Sequence, residues 1–193
     1  DKFYVFNKAQ EDFYKRRSTS VKYLLLDLNE LEVDPADFHS GDFNPAIIWI
    51  HQAFPPKMKY ERKLQFDILD LLERKFKEFP IMIKIHPNTL VKDKLSIAHR
   101  YPKFDIVDNI ECFSEYNPIF LSLTSTSFYF MKNLGPFIFT STNLFDPSVY
   151  FGNDIKTIAY DKLSSEINKL FVKENWFDAY YDQVSLDNTV NEY

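Results

Sequence analysis

The chain has 193 residues, with 23 lysines and arginines against 28 acidic residues and a formal net charge of −5. This acidic balance argues against binding to nucleic acid, since proteins that bind it usually carry a basic surface. Only three glycines are present, where an average usage near 7% would give about 13. The scarcity excludes the glycine-rich phosphate loops of dinucleotide-binding and P-loop proteins, so a bound phosphate has to be held by side chains and helix termini.

The remaining composition is that of a globular domain, because 45% of the residues are hydrophobic and 18% are aromatic. The single cysteine, Cys112, cannot form an internal disulfide or a multi-cysteine zinc site, and we interpret it as a small buried residue in a protein of a reducing compartment. The sequence shows no signal peptide and no apolar run of the roughly 20 residues that cross a bilayer. Because the first residue is Asp1 rather than methionine, we expect a piece of a longer protein.

The first part of the chain has no regular pattern and is predicted to be an N-terminal extension or a segment between lobes. Residues 1–20 predict a helix or a docked arm, and the apolar run 21–28 predicts a strand or a helical turn. Turn-forming residues are concentrated in 29–45, which is therefore the best candidate boundary. We divide the chain into the extension, 1–45, and a nucleotide-sugar-binding domain with an aromatic tail, 46–193.

From residue 46 onwards, short apolar runs alternate with segments whose apolar residues recur at helical spacing. The runs have the length and composition of parallel strands buried on both faces, and we predict such strands at 46–50, 81–85, 104–107, 118–123 and 137–140. Helices are predicted at 57–79, 89–99, 128–134 and 161–171, a helical turn at 109–116, and a segment rich in loops at 141–160. This alternation predicts an α/β fold built on a doubly wound, Rossmann-like parallel sheet.

Both ends of the chain carry large aromatic side chains. The residues concerned are Phe3, Phe6, Trp176, Phe177, Tyr180 and Tyr181. If no neighbouring lobe covers them, they need another partner, and we expect a homodimer or a swapped terminal element.

Polar side chains follow three of the predicted strands, and ligands of doubly wound sheets bind beyond such strand ends. Hydroxyl groups beside a helix N-terminus suit a phosphate, and a histidine across the cleft can supply a proton or a positive charge to it. The groups are His51-Gln52 after the first strand, His86-Pro87-Asn88 after the second, and Thr124-Ser125-Thr126-Ser127 after the fourth.

Each of these groups also has a purely structural interpretation. A run of serines and threonines before a helix often serves only as its cap, His86 before Pro87 can be an ordinary loop residue, and His51 can be structural. We expect no role for His39 or His99. The sequence contains no D-x-D, H-x-x-x-H, H-E-x-x-H or G-x-S-x-G spacing, so we expect neither a metal site nor a serine hydrolase, and no cofactor.

The sequence Lys84-Ile85-His86-Pro87, followed about 40 residues later by Ser125-Thr126 at a strand-to-helix turn, resembles the bacterial sialyltransferases and related capsule or lipooligosaccharide glycosyltransferases. The resemblance covers residues 46–173 and implies a GT-B fold, two Rossmann-like lobes around the active site, of which this chain would be the C-terminal, nucleotide-binding lobe.

The resemblance also implies roles for the residues at the strand ends. His86 would be the catalytic group that stabilises the departing phosphate of a CMP-sialic acid donor. The donor-binding residues would be Gln52, His86, Pro87, Ser125, Thr126 and Ser127. The acidic catalytic base of the family belongs to the N-terminal lobe, and residues 1–45 offer no counterpart. Similar enzymes use CMP-Kdo or CDP-alditol donors, so the donor stays open.

Two classes of function follow. The first is an inverting, metal-independent glycosyltransferase that uses a CMP-activated sugar in bacterial surface-glycan synthesis. Its partners would be a nucleotide-sugar donor and a glycan acceptor, and it would act in the cytoplasm or at the surface of the inner membrane. The missing D-x-D implies that His86 and a helix dipole neutralise the leaving phosphate in place of a divalent cation. The second is a non-catalytic nucleotide- or sugar-binding domain, or a protein-interaction domain whose aromatic tail docks on a partner.

Overall fold

The structure, a computed structural model, describes residues 2–5, 8–16, 22–25, 42–107, 115–152 and 155–188. Cys112, His39 and nearly all of the helical turn predicted at 109–116 lie outside these residues, as do Phe6 and the side chain of Phe3.

A small parallel unit opens the chain. Strand β1 (Lys2–Val5), helix α1 (Lys8–Lys15) and strand β2 (Lys22–Leu25) follow one another, and the two strands pair in parallel. The predicted helix or arm is therefore a strand followed by a helix, and the apolar run after it is a strand.

The domain that follows contains six strands and six helices within the described residues. The strands are β3 (Pro45–Ile50), β4 (Ile81–Lys84), β5 (Asp105–Val107), β6 (Asn117–Ser122), β7 (Phe137–Ser141) and β8 (Lys156–Ala159). The helices are α2 (Lys59–Lys75), α3 (Val91–Arg100), α4 (Phe128–Met131), α5 (Ser148–Phe151), α6 (Leu163–Lys169) and α7 (Lys173–Asn188). Helix α1 of the opening unit contacts α5.

All six strands are parallel and lie in the order β5-β4-β3-β6-β7-β8. Counted from β3 as the first strand, this is the order 3-2-1-4-5-6 of the doubly wound Rossmann sheet. The predicted fold class is therefore confirmed. The segment 141–160, predicted to be rich in loops, also contains α5 and the edge strand β8, which the sequence did not indicate. Only one residue of β8 is buried, so its sequence shows no apolar run.

The strands are buried on both faces because alternate side chains enter two different apolar clusters. Ile47 and Trp49 of β3 point into the cluster that α2, α3, α6 and α7 cover. Ile48 and Ile50 point into the cluster that α4 and α5 cover. The helices therefore lie on both faces of the sheet.

The aromatic tail packs on its own domain as helix α7. Trp176 is fully buried and Tyr180 is nearly so, whereas Tyr181 is 61% exposed. The indole Nε1 of Trp176 donates a hydrogen bond to the carbonyl oxygen of Pro118 at 3.2 Å. The expectation that the tail aromatics lack cover is thus wrong for Trp176 and Tyr180, which removes part of the reason for expecting a homodimer. The dimer itself stays a prediction.

Helix α7 also fixes the turn between α4 and β7 through the amide group of Gln183. Its Nε2 donates to the carbonyl oxygens of Lys132 at 2.6 Å and Gly135 at 3.2 Å. Its Oε1 accepts a hydrogen bond from the backbone N–H of Phe137 at 2.8 Å. One side chain therefore pairs three main-chain groups between the end of α4 and the first residue of β7.

The close approach of this turn to β6 requires a glycine at position 135. A Cβ atom there would collide with the carbonyl oxygen of Pro118 and come within 3.0 Å of the ring of Trp176. Both neighbours belong to the buried core, so neither can move away cheaply.

We predict that Gly135→Ala destabilises the protein by about 1–3 kcal/mol, the usual cost of adding atoms to a packed site. Urea unfolding followed by tryptophan fluorescence measures the free energy of unfolding. Asn168→Ala, on the exposed side of α6, is the control and should change it by less than about 0.5 kcal/mol. Equal stability of Gly135→Ala and the wild type would contradict the packing described here.

Candidate functional site

The strand order gathers the predicted polar groups at one edge of the sheet. Strand β3 pairs with β4 on one side and with β6 on the other, so its end lies between theirs. His51 therefore stands between His86 and Ser125. Two strand spacings separate the ends of β4 and β6, which is about 10 Å. A phosphate held jointly by His86 and Ser125 would have to lie over the end of β3.

Hydrogen bonds tie the three strand ends together. The backbone N–H of His51 donates to the carbonyl oxygen of Lys84 at 2.9 Å. On the other side, the Oγ of the fully buried Ser122 donates to the carbonyl oxygen of Ile50 at 3.4 Å. The end of β3 is thus held from both neighbours, which limits the movement of the polar groups that follow it.

The environment of His86 determines which of its ring nitrogens can bind a ligand. The side chain is half-buried, and its Nδ1 accepts a hydrogen bond from the backbone N–H of Asn88 at 3.1 Å. Since a backbone N–H only donates, Nδ1 carries no proton, and the neutral ring is protonated at Nε2. Burial, together with the charge of Lys84, lowers the pKa of His86. From the sequence, His86 could supply either a proton or a positive charge to a phosphate. At neutral pH the ring is uncharged, so it offers a hydrogen bond from Nε2–H.

The hydroxyl run forms a tight turn instead of capping a long helix. Ser125 is buried, and its Oγ accepts a hydrogen bond from the backbone N–H of Ser127 at 3.1 Å, which leaves its O–H to donate to a ligand. Ser127 makes no side-chain cap, and Thr126 is exposed. Helix α4 is a single turn, shorter than the predicted 128–134, so the expected contribution of a helix dipole to phosphate binding is small.

A cavity of about 740 Å³ opens beside these groups, between the loops that follow β3 and β4. Of its residues, the sequence singled out His51, Gln52 and Asn88 as polar groups after strands, and only Gln52 as a donor-binding residue. Basic side chains in the first turns of two helices that follow strands were the available signal, but the sequence alone cannot show that they converge. The polar and charged residues among its lining are His51, Gln52, Lys59, Arg62, Gln65, Asn88, Thr89, Lys92, Asp93 and Ser96.

The wall of this cavity near β3 is held rigidly. The buried side chain of Gln65 accepts a hydrogen bond from the backbone N–H of Gln52 at 2.7 Å and donates one to its carbonyl oxygen at 3.0 Å. One turn earlier in α2, Nη1 of Arg62 donates to the carbonyl oxygen of Phe54 at 3.3 Å. The loop after β3 is thus fixed to α2 at two points.

Three polar atoms at the cavity have no hydrogen-bond partner among the described residues. They are Nδ1 of His51, Nε2 of Gln52 and Oγ1 of Thr89, and all three are buried. Unpaired buried polar groups are costly in a folded protein. The same three residues line the cavity, and a small rotation of their side chains would let a ligand there supply the missing partners.

His51 is only 5% exposed, and its burial dominates its titration. Desolvation lowers the pKa of His51 from 6.5 to about 4, a shift that Asp93 opposes and that His86 and Arg62 reinforce. The imidazole is therefore neutral at pH 7, so one of its ring nitrogens donates a hydrogen bond and the other accepts one.

Two features are absent from the described residues, a cluster of metal ligands and a membrane-spanning helix. No three His, Cys, Asp or Glu side chains lie close enough to hold a metal ion in the part of the chain that the structure describes. No helix among the described residues is both long and apolar enough to cross a bilayer.

The domain resembles a solved glycosyltransferase in structure. The chain superposes on the crystal structure of TarM, a glycosyltransferase, with a TM-score of 0.59 and 11% sequence identity. Its fold is glycosyltransferase-like. The match covers 98% of this chain but only 40% of TarM. No protein-family model matches the sequence, and no curated protein matches it. At 11% identity the likeness concerns the fold alone, so the sialyltransferase type and the roles of the site residues stay predictions.

We predict that His51 makes the stability of the fold depend on pH. Its pKa is lower in the folded than in the unfolded protein, so the unfolded protein binds more protons between pH 6.5 and 4. The contribution of neutral His51 is present above pH 6.5 and is lost as the pH falls, by about 3 kcal/mol at pH 4.

Urea unfolding between pH 7 and pH 4 tests this, with His51→Gln as the variant that cannot titrate. The wild type should lose about 3 kcal/mol more than His51→Gln over this range. His99→Gln, on the exposed side of α3, is the matched control and should follow the wild type. Identical pH dependence of His51→Gln and the wild type would show that His51 is not buried as described.

Proposed function

We propose that this chain is the nucleotide-sugar-binding lobe of a glycosyltransferase, and that the donor phosphate binds over the end of β3, between His86 and Ser125. The observation that carries the proposal is the reversal of strand order between β3 and β6, with hydrogen-bond donors on both sides of it. Ligands of open α/β sheets bind at such a point. The glycosyltransferase-like fold supports the reaction class.

The residues of the proposed site act as hydrogen-bond donors to a leaving group. When the bond between the donor sugar and its phosphate breaks, negative charge grows on the phosphate oxygens. The Nε2–H of His86 and the hydroxyl groups of Ser125 and Thr126 then donate to a stronger acceptor than in the ground state. Donors that gain strength in this way lower the barrier. Gln52, Pro87 and Ser127 would complete the walls of the donor site.

The donor that the proposal favours is a CMP-activated sugar, in particular CMP-sialic acid, transferred with inversion and without a metal ion to a glycan acceptor. The support is the His86-Pro87 motif with the later hydroxyl pair, together with a site whose donors are few and suit a single phosphate. CMP-Kdo and CDP-alditols are the alternatives. The proposal assigns the catalytic base to a second lobe, as in the family that the sequence resembles.

We predict that the 193-residue chain binds CMP and that His86→Ala weakens this binding roughly 10- to 100-fold. Loss of one hydrogen bond to a charged group costs about 1.5–3 kcal/mol, which corresponds to that range. Ser125→Ala should weaken binding as well. Isothermal titration calorimetry at pH 7.5 measures the dissociation constants. In an enzyme with both lobes, His86→Ala should lower kcat by about 10²–10³, the usual effect of removing such a donor.

His99→Ala is the matched control, since His99 is an exposed histidine on α3. It should bind CMP as the wild type does. Parallel titrations with CDP and UDP distinguish the donors, because a CDP-alditol enzyme should prefer CDP to CMP. Equal affinities of His86→Ala and His99→Ala would contradict the site. If the wild type binds none of the three nucleotides, the chain is better explained as a protein-interaction domain.

A further inference from the structure

We propose that the cavity between α2 and α3 is a second ligand site, which binds a phosphorylated sugar with its phosphate at the basic rim and its hydroxyl groups at the inner wall. The inference goes beyond the proposed donor site. Gln52 is shared with the proposed donor site, and the other cavity residues used here belong to neither the His86-Pro87 motif nor the hydroxyl run. A volume of about 740 Å³ is within the range of small-molecule sites.

The rim favours an anion because three cationic side chains converge on it. Lys59 and Arg62 come from the first turn of α2, and Lys92 from the first turn of α3. Neither helix N-terminus has a side-chain cap, so both helices turn uncapped backbone N–H groups towards this end. With α2 of 17 and α3 of 10 residues, both are long enough for the dipole to count.

The inner wall supplies the independent evidence for a ligand. His51 is more than nine-tenths buried, lines the cavity, and has an Nδ1 atom without a partner among the described residues. Gln52 and Thr89 are only partly buried, but their Nε2 and Oγ1 atoms are buried and also lack a partner among the described residues. The three unpaired polar atoms come from the loops after β3 and β4, on either side of the cavity, and they match the several hydroxyl groups of a sugar better than a simple phosphate at the rim.

Asp93 decides between a bare anion and a hydroxylated one. Its carboxylate lines the cavity among the three basic residues and is close enough to His51 to influence its protonation. A carboxylate repels a phosphate but accepts hydrogen bonds from hydroxyl groups. A site for inorganic phosphate gains nothing from Asp93, whereas a site for a sugar phosphate uses it. Phe54 and Phe66 add an apolar surface against which a sugar ring can pack.

Glucose 6-phosphate is the probe, with glucose and inorganic phosphate as its two halves, in calorimetric titrations of the 193-residue chain. Glucose 6-phosphate should bind at least 10-fold more tightly than either half. Arg62→Ala should weaken its binding roughly 10-fold or more, the effect of losing a charged hydrogen bond, and Lys92→Ala a few-fold. Lys63→Ala is the control, because Lys63 lies on the same helix but pairs with Asp67 at 2.6 Å. It should leave the affinity unchanged.

Asp93→Asn gives a readout that a merely structural role would not produce. It should raise the affinity for inorganic phosphate and lower the advantage of glucose 6-phosphate over phosphate. If glucose 6-phosphate does not bind, or binds equally well to Arg62→Ala, Lys92→Ala and the wild type, the inference is wrong.

Different substitutions test the two proposed sites, so one proposal can be contradicted without the other. His86→Ala should weaken CMP and spare glucose 6-phosphate, whereas Lys92→Ala should do the reverse. Binding of glucose 6-phosphate in the presence of saturating CMP distinguishes a separate sugar phosphate, such as part of an acceptor, from the sugar of the donor itself. Competition between the two would contradict a second site, and it would leave the proposed donor site standing.

Discussion

The burial of β3 on both faces and along both edges is the constraint on which the rest of the domain depends. Its side chains enter two apolar clusters, and its backbone pairs with β4 and β6. The side chains of β3 are all apolar or aromatic, so the first charged or strongly polar group after it is His51, where the strand leaves the core. The neighbouring strands end at the same edge. Because the central strands are filled by the apolar core, the polar side chains of the candidate site lie at the carboxyl ends of these strands.

The two histidines at this edge illustrate how burial determines chemistry. Both have a pKa below the ordinary value, and desolvation is the largest cause for each. His86 is fixed by Asn88 as an Nε2–H donor, whereas His51 keeps an unpaired Nδ1. Neither contributes charge at neutral pH, and positive charge comes instead from the lysines and arginine at the first turns of α2 and α3. An anion at this edge would therefore receive hydrogen bonds from uncharged groups near β3, and it would meet positive charges only at the first turns of α2 and α3.

The predictable part of the fold is the part that the core dictates. The strands with continuous apolar runs were found from the sequence, because burial on both faces leaves an unmistakable pattern in 46–50 or 118–123. Strand β8 was missed because an edge strand needs only one buried residue, Ile158. Helix α4 was predicted too long, since the apolar residues up to Leu134 continue its pattern into a turn that Gln183 holds.

Part of the candidate site could also be predicted from the sequence. Residues directly after strands, such as His86 and Ser125, follow from the rule about strand ends. The cavity residues do not, because Arg62, Thr89 and Asp93 come from different segments and resemble any solvated helix start. Their convergence depends on how α2 and α3 pack on the sheet, where Ile68 and Ile97 enter the same apolar cluster. No local sequence pattern records that packing.

The hydrogen bonds of Gln183 have a consequence for the order in which the molecule acquires its structure. A helix of four residues such as α4 is not stable by itself, and the segment that leads from Ser125 to β7 is held at its far end by α7. Gln183 lies 58 positions after Ser125. During synthesis the central strands can pair as they emerge, but the hydroxyl run gains its final support only when the last helix has docked. Of all the polar groups at the sheet edge, it would be the last to become rigid.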